Sequence, residues 1–139
     1  ENLDIRYFRA DRLVMTFTFF QVALGGALGA TLRYATVISA ARILGAGFPV
    51  GTIFINILGS FIMGFLVVAL DERNWLNLYP FLMVGLLGGF TTFSAFSLDT
   101  YMLYEQGNIV GLMLYVTISV LFSIMALFGG IWLGRYLII

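Results

Sequence analysis

The sequence predicts an all-α membrane protein with four transmembrane helices and a break in the third, and three observations carry that reading. Of 139 residues, 61% are hydrophobic and only 10% charged, where a soluble domain carries about a quarter charged; mean hydropathy is +1.02. Four uncharged runs, residues 13–32, 43–70, 74–98 and 106–134, are each about 20 residues or longer, enough to cross a hydrocarbon core of roughly 30 Å as a helix. Within the third run, "GGFTTFSAFS" at residues 88–97 sets a glycine pair and the hydroxyls of Thr91, Thr92, Ser94 and Ser97 among three phenylalanines.

Taken in order, residues 1–14 form an N-terminal arm, either disordered or interfacial, because they are the most charged part of the chain. Residues 15–139 form the four-helix transmembrane domain. The first span covers about residues 15–35, with Arg33 near its end, and "AARILGAGFPVG" follows as a turn-rich loop. Pro49 and Gly51 open the second span, about residues 50–70, which "DERN" closes. The third covers about residues 78–98, with Pro80 tolerated in its first turn. "DTYMLYEQGN" connects it to the fourth, about residues 109–134. Small residues four apart (Gly25 with Gly29, Gly26 with Ala30, Gly130 with Gly134) let helix backbones approach closely in lipid. Four spans barely enclose a pathway, so a homo-oligomer in the lipid bilayer is expected.

Composition excludes several functions. With no cysteine and no histidine, disulfides, thiol chemistry, zinc sites with nitrogen or sulfur ligands and a Ser-His or Cys-His nucleophile pair are absent. No nucleophile–base pair is visible, so an enzyme is not expected. Zero net charge argues against a nucleic-acid partner. Arginines 6, 9, 12, 73 and 135 lie on the side of the N-terminus, and arginines 33 and 42 on the other. That bias favours cytoplasmic termini. Without the arm, the count is two against two.

Polar groups at membrane depth are few and uncharged. Asn56 in "GTIFINILGSFIMG" carries donors and an acceptor that hydrocarbon cannot satisfy. It either joins two helices or lines a pathway. Tyr115, Ser119 and Ser123, spaced by four, stack on one helix face as a polar track; either serine could also bond back to its own helix. A glycine pair followed by two threonines is a poor run for a continuous helix. Unwound backbone at that depth survives only where it is buried in protein or lines a cavity, with freed carbonyls for a cation or freed amides for an anion. Phenyl edges such as those of Phe93 and Phe96 are electropositive and can touch an anion without formal charge. The carboxylates Asp71, Glu72, Asp99 and Glu105 are read at span ends. A small dual-topology efflux transporter for organic cations would need one at mid-depth. Arg33 either pairs with Asp99, draws anions to a mouth, or snorkels at the boundary. A structural subunit whose polar groups only knit helices together is the remaining alternative.

From about Met15 onward the chain resembles the CrcB/Fluc fluoride channel family. The match rests on "GGALGATLRY", "GTIFINILGSFIMG", "GGFTTFSAFS" with Asp99, and the Tyr115–Ser119–Ser123 line. The resemblance implies a dual-topology protein assembling as an antiparallel homodimer with two pores. Such a protein passes fluoride passively and selectively out of the cytoplasm, through the inner (plasma) membrane of a microbe, and so gives fluoride resistance. It further implies a structural sodium ion (Na+) at the dimer centre, on the backbone carbonyls of Gly88 and Thr91. By position, the pore residues are Phe93 and Phe96, with Asn56 beside them, Ser94, the Tyr115–Ser119–Ser123 track, and Arg33. Three residues depart from the family pattern: Ala95 and Leu127 stand where hydroxyls are usual, and Asp99 where Glu is common.

Overall fold

The computed structural model describes the backbone of residues 2–139 and the side chains of residues 14–139. Helix α1 is Asn2–Leu44 and α2 is Val50–Glu72. A short 3-10 turn, Leu76–Leu78, leads into a π-helix, Pro80–Leu87, which runs on into α3, Gly88–Phe90. Beyond a two-residue break come α4, Phe93–Glu105, and α5, Ile109–Ile138. Four segments are long and apolar enough to cross a membrane: Val14–Leu44, Val50–Glu72, Leu76–Glu105 and Ile109–Ile138. The chain is a multi-pass membrane protein. The arm predicted over residues 1–14 lies almost wholly outside the described side chains.

Two boundaries differ from the sequence reading, for a shared reason. Helix α1 continues past residue 35 to Leu44, because "ATVISAARIL" contains no breaker. It stops only where Gly45 takes φ +86°, a left-handed conformation natural to glycine. Likewise α4 continues through "DTYMLYE" to Glu105, and Gly107, at φ +70°, makes the turn. Asn108 then caps α5, its Oδ1 accepting from the Gly111 N–H at 2.9 Å. Asp99 therefore lies within a membrane helix and not at its end.

The small residues set the packing. Helix α1 lies against the π-helix and α3, and α2 lies chiefly against α5. A methyl group added at Gly25 would come 2.8 Å from the Leu86 nitrogen, and one at Gly85 would come 2.9 Å from the Gly25 Cα. Across the other pair, a methyl at Gly130 would come 2.8 Å from the Phe65 nitrogen. Backbone thus meets backbone where lipid offers no hydrophobic drive to associate. Of the predicted small pairs, Gly26 acts through its own backbone, which faces Gly89. Leu70, Met83 and Leu87 are buried between α2 and the π-helix. At the break the third span changes partner, from α1 before it to α5 after it.

Candidate functional site

The break falls on the threonine pair, while Gly88 and Gly89 stay helical. Thr91 (φ −80°, ψ 158°) and Thr92 (φ −156°, ψ 127°) are extended, the backbone region that β-branched side chains favour. Glycine is required for another reason at Gly89, where a methyl would come 3.1 Å from the Gly26 Cα. Thr92 starts the next helix: its Oγ1 accepts from the Ala95 N–H at 3.1 Å.

Asn56 repairs the break. Its Nδ2 donates to the Thr92 carbonyl at 3.1 Å, and its Oδ1 accepts from the Thr92 N–H at 2.9 Å. The amide thereby imitates a strand partner for one peptide unit, answering part of the cost of unwound backbone in lipid. The carbonyls of residues 88–91 lose their helical donors at the break, and for two of them a side chain takes the donor. The Thr92 N–H, which a continuous helix would aim at Gly88, goes to Asn56, and the Ala95 N–H, which would reach Thr91, goes to Thr92 Oγ1.

Beside the break is a cavity of ≈ 290 Å³ lined by Asn56, Ser60, Thr91, Thr92, Phe93, Phe96, Ser119, Val120, Ser123 and Ile124. None of these residues is charged. The Ser119 and Ser123 hydroxyls are buried and without a partner among the described residues, a costly state for a hydroxyl unless something transient meets it. Asn56 keeps a second amide N–H beyond the one given to Thr92.

Tyr115 shares the serines' helix face but commits its proton elsewhere. Its hydroxyl donates to Asp99 Oδ2 at 3.0 Å, and Thr52 Oγ1 donates to the same oxygen at 2.7 Å. The ring remains part of an aromatic row. Phe93 and Phe96 lie 5.4 Å apart, Phe96 and Tyr115 stack at 5.3 Å, and Phe48 meets Tyr115 edge-on at 6.0 Å. Ser94 is exposed at the start of α4, 3.2 Å from Thr92 Oγ1, and does not line the cavity. Arg33 is also absent from the cavity wall, and among the described residues it makes no ion pair with Asp99.

The structure thus brings together Asn56, Thr91, Phe93, Phe96, Ser119 and Ser123, with Tyr115 stacked on Phe96 alongside, places Gly88 in α3 just before the break, and leaves Ser94 and Arg33 apart. Sequence reasoning missed Thr52 and Ser60. For Ser60 a signal existed, since it follows Asn56 by four residues on one helix face. Thr52 lies 47 residues from Asp99, and no local pattern joins them. Among the described residues no group of three His, Cys, Asp or Glu could hold a metal ion.

Known proteins resemble the chain over most of its length. The family model described as "CrcB-like protein, Camphor Resistance (CrcB)" matches residues 20–131. A Paracoccus denitrificans (strain Pd 1222) protein named fluoride-specific ion channel FluC is 51% identical over 121 residues, covering 87% of this chain and 97% of the relative. A protein of the same name from Cereibacter sphaeroides (strain ATCC 17029 / ATH 2.4.9) is 53% identical over 117 residues, covering 84% and 93%. One from Mesorhizobium japonicum is 44% identical over 122 residues, covering 87% and 98%.

Proposed function

The chain belongs to the CrcB family, and on that premise we propose that it is a passive, fluoride-selective channel of the bacterial plasma membrane. It exports cytoplasmic fluoride and gives fluoride resistance. The observation that carries the reading is the uncharged cavity at the break, into which the unpartnered hydroxyls of Ser119 and Ser123 open. Fluoride is small and strongly hydrated, so a pore must offer donors in place of water. A fixed positive charge would hold the ion too well, because conduction needs exit as well as entry. Hydroxyls, a spare amide N–H and electropositive ring edges meet both demands. Hydrogen fluoride enters a cell as the neutral acid and dissociates near neutral pH. A negative interior then drives the ion outward with no coupled energy source. No bond is made or broken, so the protein is not an enzyme.

The assembly is an antiparallel homodimer with two pores. Two features support this: outside the arm the arginines balance, 33 and 42 against 73 and 135, and Phe93 lines the cavity yet is 77% exposed, leaving a wall for a second copy to complete. Sodium suits the break, because the Gly88 and Thr91 carbonyls are among those that lose their helical donors there. Held by these carbonyls, the ion would bridge the two protomers. The cation-transporter reading gains little from Asp99, whose Oδ2 already faces two donors.

Expression in a fluoride-sensitive bacterial strain tests the function. The chain is expected to restore growth in fluoride, and a Ser119→Ala, Ser123→Ala double variant to restore it poorly at equal membrane abundance. No rescue by abundant wild-type protein would remove the proposal.

A further inference from the structure

Hydroxyls in membrane helices usually bond to the carbonyl four residues earlier. Thr31, Thr36, Ser97 and Thr100 do so here, at 2.8–2.9 Å. Ser60 does not: it lines the cavity at the break and makes no hydrogen bond among the described residues. From the facing helix α5 come Ser119, only 4% exposed, and Ser123, both with buried hydroxyl oxygens and no partner among the described residues. Three free hydroxyls from two helices therefore open on one uncharged cavity. The Thr92 carbonyl nearby is already taken by Asn56. The space thus offers protons to an acceptor and no carboxylate to a cation.

We propose that Ser60 is an anion-binding residue. With Ser119 and Ser123 it forms a three-hydroxyl subsite bridging α2 and α5, and it sets how tightly a small dehydrated anion is held there. On the channel reading above, on which the identity of the ion rests, that anion is fluoride. Three rotating hydroxyls can close on one small acceptor from two sides, which two serines on a single helix face cannot. Substituting Ser60 removes the contribution from α2 and leaves the α5 track untouched.

Two measurements on the purified full-length protein test this. One is equilibrium binding of fluoride, and the other is the fluoride dependence of efflux from liposomes, each with Ser60→Ala, Ser60→Thr and the back-bonded control Thr31→Val. Ser60→Ala is expected to weaken binding and raise the half-saturating fluoride concentration roughly tenfold or more, the usual effect of one hydrogen bond to a charged group. Ser60→Thr, which keeps the hydroxyl, is expected to recover most of the loss, and Thr31→Val to match wild type. Wild-type binding in Ser60→Ala would mean that the hydroxyl meets only water, and would overturn the subsite. Binding that depends on Ser60 in a protein showing no efflux would overturn the channel and leave the subsite standing. Absence of both binding and efflux in wild type would overturn both.

Discussion

Asn56 shows how one side chain can be read two ways, and how geometry decides. Its amide is spent first on the Thr92 peptide, through bonds of 3.1 and 2.9 Å, so its main work is to hold the break open in one shape. Asn56→Leu is expected to destabilise the protein by about 2 kcal/mol, since one donor and one acceptor are left unpaired in a site that cannot hydrate them well. Thermal unfolding in detergent would show it as a lowered midpoint. Tyr115 makes the complementary case. Because its proton already goes to Asp99, Tyr115→Phe is expected to keep fluoride flux within roughly tenfold of wild type, the contribution of about one hydrogen bond. The ring stack with Phe96 is the part retained. Flux abolished by Tyr115→Phe in folded protein would show that its hydroxyl meets the ion directly. Neither partnership was legible in advance, because Asn56 and Thr92 are 36 residues apart and Tyr115 and Asp99 are 16 apart. Periodicity had shown only that Tyr115, Ser119 and Ser123 share a face.

Among the elements, the third span carries most of the architecture. It packs on α1 through Gly25, Gly29, Gly85 and Gly89, breaks at Thr91 and Thr92, and leaves toward α5. A bulky side chain at Gly85 has backbone on the far side and no flexible neighbour to displace. Gly85→Leu is therefore expected to cost about 1–3 kcal/mol or more through overpacking, read as a lower unfolding midpoint or lost yield. Gly47→Ala is the matched control, where an added methyl meets nothing within 4 Å. The four spans and the break were legible from long apolar runs and the "GGFTTFS" stretch. Two ends were not, because the turn-rich look of "AARILGAGFPVG" and "DTYMLYEQGN" concealed helix formers up to Leu44 and Glu105. The π-helix was hidden for a different reason. Eight nearly uniformly apolar residues, "PFLMVGLL", present no stripe by which a wider turn could be told from an ordinary one.

The whole molecule joins a hydrocarbon-compatible exterior to a cavity of neutral donors. Phe17, Phe19, Val110 and Phe128 are all more than half exposed, as lipid-facing residues are, while the cavity at the break holds its hydroxyls without any fixed charge. The proposed sodium belongs to this scale, because it would link the protomers of the proposed dimer. Replacing sodium by a bulky organic cation is expected to lower dimer stability, measured by size-exclusion chromatography in detergent at falling protein concentration. The central claim is selective passive fluoride conduction through the cavity at Phe93 and Phe96. Its most direct test is ion efflux from liposomes holding the purified protein, with fluoride and chloride gradients compared and Phe93→Ile run alongside. Fast fluoride efflux, no chloride efflux and strong suppression by the substitution are expected; equal passage of both ions, or fluoride efflux indifferent to Phe93, would rule the channel out.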